Sequence, residues 1–380
     1  MSLKVSASCN ALILAAFIAA ISSCSGKEKS PGDVSTYQVS VEVDSLAIEC
    51  PAEYRVLPSY TEVDCYTAEN GNVMLATYNY KSNSIELLNL TDKRYARNIG
   101  LATDGPDGIP GSITWIQQIG CDSLLVFDRL KLYLVDSLGH VKNSYVLPGG
   151  ANALTGRNAR SNVACLYYDK TAGTVAYPVA DGGKILLKEY SLAEGVEKSS
   201  VEICDDDPGG RYGFYRYPNV SVTDSVVIYN YAFDRGVKVM SRIDGSVRCY
   251  DYDSHIGGAN PVECTGDPEE MTWHGFENPA YFDFTYLEGP GVYVQVALGA
   301  TTVGDRSDMK VAAMSRPVFI RVFDPDFNMI DEIELAAGRF NPFCGWFTTD
   351  DGVMLFNDNA LSPNDAEDTI KLSYYRLKAD

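Results

Sequence analysis

The residues best suited to ligand binding are arginines, aromatic residues and one histidine, which lie in long polar segments between apolar runs. Guanidinium groups form paired hydrogen bonds with carboxylates or phosphates, and aromatic rings stack on sugars or cations. The candidate set is Arg157, Arg160, Arg211, Tyr212, Tyr215, Arg216, Trp273, His274 and Arg339. These residues predict a surface that binds a peptide, a glycan or a partner protein. The alternative is that each side chain packs its segment onto the domain and pairs with nearby aspartates.

Catalysis has weaker support in the sequence. The chain has 3 histidines and contains no Gly-x-Ser-x-Gly, His-Glu-x-x-His or phosphate-binding glycine motif. We therefore assign no catalytic residues and favour a binding protein over an enzyme. The alternative is an enzyme of polysaccharide lyase or glycoside hydrolase type. In that case His274 or Tyr215 would act as the base, and Arg211 or Arg216 would neutralise a uronate carboxylate.

Composition limits the partners and cofactors. The formal net charge of −20 at pH 7 argues against nucleic acid as a partner. Three consecutive aspartates offer Asp205 and Asp207 as ligands for Ca²⁺, a cation that prefers carboxylate oxygens. Their spacing matches no calcium-binding loop, so we expect an exposed acidic turn and no cofactor.

The N-terminus predicts export and a lipid anchor. An apolar run over residues 11–21 is too short to span a bilayer and has the length of a signal-peptide core. It ends in Ile-Ser-Ser-Cys, which resembles a bacterial lipobox and makes Cys24 the lipidated first residue of the mature chain. We expect a signal peptide at 1–23, a flexible tether at 24–36 and one folded domain at 37–380. Because Ser25 follows Cys24 where an Asp would favour inner-membrane retention, we expect the outer membrane.

A six-fold repeat indicates the elements that position the candidate residues. A polar or glycine pair precedes an apolar β-branched run at Val73, Leu124, Val175, Val226, Val292 and Val353, in steps of 51, 51, 51, 66 and 61 residues. Around each copy lie short β-type segments bounded by turn residues, four to a repeat. This period predicts an all-β, six-bladed β-propeller. The last repeat lacks a fourth strand, so we expect the N-terminal strand at 37–44 to close the final blade. We predict no helix.

Strand order then predicts which face binds. First-to-second and third-to-fourth turns should lie on one rim, and second-to-third turns and inter-blade connections on the other. The long segments, at 102–112, 148–161, 205–216, 253–278, 299–316 and 358–368, all belong to the second rim. Because long loops on a rigid scaffold commonly carry function, we predict that the binding surface lies there.

The lipobox, the six-fold count and the loop at 104–111 (DGPDGIPG) resemble the NHL- and TolB-like six-bladed propellers. The chain resembles more closely an uncharacterised family of propeller lipoproteins from Gram-negative gut anaerobes. The resemblance implies the fold and export but no activity, because binders, lyases, hydrolases and scaffolds share this fold. A scaffold subunit of an outer-membrane complex is therefore a third alternative.

Overall fold

The computed structural model describes residues 38–51, 62–110, 112–154, 166–206, 217–256, 267–301, 303–304, 306–336, 338–342, 345–357, 359, 361 and 369–379. These residues form six four-stranded antiparallel sheets arranged in a ring, which confirms the six-bladed β-propeller. Neighbouring sheets pack face to face, so the hydrophobic core lies between adjacent blades.

The first three blades each use four consecutive strands. Blade I consists of β2 (Val63–Thr67), β3 (Val73–Asn79), β4 (Ser84–Asn89) and β5 (Arg94–Gly100). Blade II consists of β6 (Trp115–Gly120), β7 (Ser123–Phe127), β8 (Lys131–Asp136) and β9 (Val141–Val146). Blade III consists of β10 (Tyr167–Asp169), β11 (Thr174–Asp181), β12 (Lys184–Ser191) and β13 (Val196–Asp205).

Blades IV and V follow the same order, and two short helices interrupt the chain around blade V. Blade IV consists of β14 (Asn219–Val222), β15 (Val226–Asn230), β16 (Val237–Ser241) and β17 (Val247–Tyr250). Blade V consists of β18 (Ala280–Leu287), β19 (Val292–Leu298), β20 (Val318–Phe323) and β21 (Met329–Glu334). Helix α1 (Pro268–Glu277) precedes β18, and helix α2 (Met309–Met314) lies between β19 and β20.

The N-terminal strand closes the final blade, as the repeat count predicts. Blade VI consists of β22 (Trp346–Thr349), β23 (Gly352–Phe356), β24 (Thr369–Ala379) and β1 (Val39–Glu49). The antiparallel ladder between β1 and β24 runs from Val39 opposite Ala379 to Glu49 opposite Thr369, eleven residue pairs in all. Ile48, with 0% of its surface exposed, packs into the core between blades VI and I. The closing strand is thus both hydrogen-bonded and anchored by apolar burial.

The middle strands of each blade are apolar because both of their faces are covered by neighbouring blades. All residues of β4 and β20 are buried, whereas the outer strand β9 has no buried residue. β-Branched and aromatic residues suit such strands because their stiff side chains pack well on a pleated surface. The repeated apolar runs in the sequence therefore correspond to strands that are buried between blades.

The expectation that the chain has no helix is wrong. Helix α1 begins at Pro268, after Asp267 caps it by accepting a hydrogen bond from the backbone N–H of Glu270 at 2.9 Å. With ten residues α1 makes fewer than three turns, too few for a helical period to stand out. Neither α1 nor α2 is long and apolar enough to cross a membrane, and no other helix in the described ranges is.

A buried arginine links blade V to the connection between blades IV and V. Arg321 on β20 has no exposed surface, and its Nε lies 3.3 Å from the carboxylate of Glu332 on β21. Its Nη1 donates to the side-chain oxygen of Gln295 at 2.6 Å. Glu332 also accepts hydrogen bonds from the Ser254 hydroxyl (2.7 Å) and the His255 backbone N–H (2.8 Å). The ion pair therefore holds the connection between blades IV and V against the ring.

The two rims differ as strand order predicts. The first-to-second turns gather on one face of the ring, which we call the turn rim. There the backbone N–H of Gly289 of blade V donates to Asp350 O of blade VI at 2.8 Å. The second-to-third turns, the inter-blade connections and both helices form the opposite end, which we call the loop rim. The third-to-fourth turns lie beside the first-to-second turns of the same blade, as strand order predicts. The Ser137 backbone N–H donates to Asp122 Oδ1 at 3.0 Å in blade II, and the Arg242 backbone N–H donates to Ser225 O at 2.9 Å in blade IV. In blade II this turn also meets the last strand of blade I, where Arg97 Nη1 donates to Ser137 O at 2.8 Å.

Candidate functional site

A cavity of about 300 Å³ opens at the loop rim of blade IV. The second-to-third loop supplies Tyr231, Phe233 and Arg235, while the outer strands supply Lys238 and Tyr250. We call it the blade IV pocket. It lies on the rim that the long segments predict.

The two cations of the blade IV pocket are unusual for so acidic a chain. Within the described ranges, neither Arg235 nor Lys238 has a carboxylate within ion-pair distance. The Lys238 ammonium lies 5.8 Å from the centre of the Tyr229 ring, at the distance of a cation–π contact. Asp234 and Asp251 also line the pocket, beside the two cations. The arrangement suits a ligand that carries a carboxylate and several hydroxyl groups.

Neighbouring connections surround the blade IV pocket. The Tyr231 hydroxyl donates a hydrogen bond to the backbone carbonyl of Asp205, at the end of β13. Phe233 packs edge to face against the His274 ring of α1, with ring centres 4.9 Å apart. The pocket thus adjoins the start of the connection that carries Arg211, and the helix that carries His274.

The structure separates the described members of the candidate set. His274 is half-buried behind Phe233, and Trp273 is only 2% exposed, packed against Phe276 and against the alanines of α2. Arg339 is exposed between blades V and VI, where its Nη2 donates to the Ser45 hydroxyl at 3.3 Å. Trp273 therefore takes the packing role that the sequence leaves open as an alternative.

The remaining candidates lie outside the described residues. They are Cys24, Arg157, Arg160, Asp207, Arg211, Tyr212, Tyr215 and Arg216. Asp205 is described, and its carboxylate pairs with Lys184 Nζ at 2.7 Å. Across the described ranges, no three His, Cys, Asp or Glu side chains converge closely enough to hold a metal ion.

A larger cavity, of about 680 Å³, occupies the central channel and was not predicted. All six blades line it through their first strands or the turns that follow. It extends from Asp64, Gln117 and Asp283 on inner strands to Asp224 and Glu288 in first-to-second turns, so it reaches the turn rim. The only sequence signal is the acidic residue at or near each of these turns.

Burial changes the chemistry of the channel wall. It raises the pKa of Asp64 to about 7, although the Gln118 backbone N–H, which donates to its Oδ2 at 2.6 Å, favours the charged form. Burial and the nearby charge of Asp64 raise the pKa of the Cys65 thiol, so this thiol stays protonated. Burial and a hydrogen bond to the Asp224 carboxylate likewise raise the pKa of Tyr167. Near neutral pH, Asp64 can therefore change its protonation state.

The six four-stranded sheets define the chain as a six-bladed β-propeller. Among solved structures, it is similar to a member of the DUF4221 family from Bacteroides vulgatus, with a TM-score of 0.72 at 15% identity over 90% of this chain and 99% of that chain. It is also similar to a Bacteroides fragilis protein described by name as exported, with a TM-score of 0.53 at 9% identity over 89% and 95% of the two chains. At such identities the likeness shows the fold alone.

No protein-family model matches the sequence, and no curated protein matches it. The names of the two Bacteroides proteins state no ligand and no reaction.

Proposed function

We propose that this protein is a lipid-anchored propeller of the cell envelope that binds a peptide, a glycan or a partner protein on its loop rim. The observation that carries the proposal is the blade IV pocket, which combines two cations without ion-pair partners in the described ranges with tyrosine side chains. Within the three ligand classes we favour a glycan or peptide that bears a carboxylate. A propeller is a rigid scaffold for such a site because each blade packs against both of its neighbours in the ring.

The size of the pocket limits the ligands that it can hold. A volume of about 300 Å³ is at the small end of ligand cavities, so it suits one acidic sugar unit or one peptide residue. Arg235 can bind a carboxylate through two parallel hydrogen bonds, and Lys238 adds a second positive charge. Tyr250 is partly exposed and offers a ring on which a sugar could stack.

The binding test is thermal denaturation of the mature domain with galacturonate and glucuronate oligomers, neutral glycans and acidic peptides. A ligand at 100 times its Kd should add about 2.7 kcal/mol of stability. We expect the acidic ligands to raise Tm and Arg235→Ala to abolish the shift. Arg339→Ala is the matched control, because it removes an exposed arginine elsewhere on the same rim. An unchanged shift in Arg235→Ala would contradict the proposed pocket.

Anchoring has a separate test. Apolar residues 11–21 followed by Cys24 support lipidation, and β1 begins at Val39, fifteen positions further along the chain. We expect the protein to incorporate labelled fatty acid and to fractionate with the outer membrane. Cys24→Ser should remove both the label and the membrane association. A wild-type chain without label would refute the anchor and leave the pocket unaffected.

Catalysis is left out of the proposal. His274 packs against Phe233 and lines neither of the two cavities described above. Any ligand found in the thermal assay should therefore be recovered intact after long incubation, and its turnover would favour the lyase or hydrolase alternative. If no small ligand shifts Tm, the scaffold alternative gains support, and a partner should be sought by pull-down from the native membrane.

A further inference from the structure

The central channel is a second cavity with its own chemistry, on the opposite side of the ring from the blade IV pocket. Its volume of about 680 Å³ lies within the range of ligand-binding cavities. Because all six blades contribute to the wall, the cavity exists only in the closed ring. Its shape is set by inner strands whose positions the surrounding blades fix.

The charge on the channel wall has one sign. Asp64, Asp224, Asp283 and Glu288 line the cavity, and no lysine, arginine or histidine is among the described residues that line it. Asp283 is 94% buried, and Glu288 is exposed at the turn rim. Carboxylates in a narrow cleft with low-dielectric walls reinforce one another's field and attract cations.

The carboxylates are spread along the cavity and do not converge on one point. In the described ranges no three of them, with or without Cys or His, form a group able to hold a metal ion. A compact divalent cation therefore lacks its ligand shell here. An extended ligand with positive charges at separate positions fits this distribution better.

Aromatic side chains complete the wall. Tyr286 and Tyr293 pack with ring centres 4.9 Å apart, and both line the cavity near the turn rim. Phe284, Phe347 and Trp115 line it deeper in the ring. Aromatic faces attract ammonium groups and also pack against methylene chains.

We propose that the central channel binds an organic cation with amino groups spaced along an aliphatic chain, a linear di- or polyamine, which enters from the turn rim. The amino groups would pair with the carboxylates of the wall, and the methylene chain would lie against the aromatic rings. This site is independent of the anionic ligand proposed for the blade IV pocket, from which it differs in rim, charge and lining residues.

The test is isothermal titration calorimetry of the mature protein with spermidine at pH 8 and low salt. The matched control ligand is N1,N8-diacetylspermidine, which keeps the chain and loses two of its three charges. Mg²⁺ at the same concentration controls for general screening of an acidic protein. We expect saturable binding of spermidine, and neither saturable binding of the diacetyl compound nor competition by equimolar Mg²⁺.

Three variants test whether spermidine binds in the channel. Glu288→Gln is the primary one, because its side chain is exposed and its loss cannot disturb the core; we expect binding to weaken about threefold. Asp64→Asn should weaken it about tenfold, the effect of losing one charge-assisted contact. Asp244→Asn, which removes an exposed carboxylate from an outer turn, should leave binding unchanged.

Two results would overturn the proposal. One is the absence of saturable spermidine binding; the other is equal weakening by Asp244→Asn and Glu288→Gln, which would mean that only net charge matters. Arg235→Ala should leave spermidine binding intact, so failure of the channel site and failure of the blade IV pocket can be told apart.

Discussion

Replacing Asp64 by asparagine should stabilise the propeller at alkaline pH and change little at acid pH. Burial in the channel wall raises the pKa of this carboxyl from 3.8 to about 7. The unfolded chain ionises near pH 3.8, while the native protein holds the proton until about pH 7. Between these values the unfolded state gains stability as pH rises, so the wild type loses stability over this window and no more above it.

The size of the effect follows from the shift in pKa. Each pKa unit corresponds to 1.36 kcal/mol, so a shift of about three units gives up to about 4 kcal/mol of penalty above pH 7. Asparagine cannot ionise, so the variant escapes this penalty. Its side-chain oxygen can still accept the hydrogen bond from the Gln118 backbone N–H, now 2.6 Å from Asp64 Oδ2. The variant should therefore match the wild type near pH 4 and exceed it at pH 8.

Urea unfolding at pH 4.5, 6 and 8 measures this difference. The matched control is Asp244→Asn, in an exposed turn where hydrogen bonds from Ser246 and Ser241 lower the pKa to about 2. That carboxyl is ionised across the whole range, so the control should show no pH-dependent difference from the wild type. If Asp64→Asn differs from the wild type by the same amount at pH 4.5 and pH 8, the assignment of Asp64 as a buried, protonatable group is refuted.

Three further stability predictions follow from packing. Arg321→Met should cost about 3–5 kcal/mol in urea unfolding because it leaves the Glu332 carboxylate buried without its cation, and adding Glu332→Gln should recover part of the loss; a cost below 1 kcal/mol would contradict this. Ile48→Ala should cost about 2–4 kcal/mol, whereas Val43→Ala, on the exposed face of the same strand, should stay within about 0.5 kcal/mol. Gly139→Ala should lower Tm sharply, because this glycine has φ +91° and a Cβ would collide with a carbonyl oxygen of blade I.

The ring could be predicted because the strands buried between blades appear in the sequence as short apolar patterns. Each polar pair followed by a β-branched run marks a turn and then a second strand, and β3, β15 and β19 begin at Val73, Val226 and Val292 as the repeat indicates. Closure by the N-terminal strand followed from counting strands, since the last repeat lacks one. The signals that mark each strand depend on residues close together in sequence, and counting those strands was enough to predict the closure.

The channel was not predictable by the same reasoning. Asp64 and Asp283 lie in different blades, more than 200 positions apart, and only the closed ring places them in one wall. Asp64 stands in an ordinary strand (VDCYT), with nothing in the sequence that marks it as a channel residue. When single residues from separate repeats come together in space, they form no motif in the linear sequence.

Trp273 shows a second limit. Its residue type suits a binding surface, yet it packs between α1 and α2, because sequence does not tell which way an aromatic side chain points in a segment whose helix goes unrecognised. Helix α1 itself was signalled only by Asp267 and Pro268, an N-cap followed by a proline in the first turn. Recognising that pair would have placed Trp273 and Phe276 on one helical face.

The pairing of β1 with β24 has a consequence for how the chain folds. Val39 and Ala379 lie at opposite ends of the described sequence, so this ladder has the largest sequence separation in the molecule. Contacts of such separation form late, since most of the chain must be ordered before the two strands can meet. Blades I to V consist of consecutive strands and can assemble without β1, whereas β1 must wait for β24. During that interval both strands present open edges, the kind that invites pairing with other chains. Ring closure is thus the step at which a folding helper would have most effect.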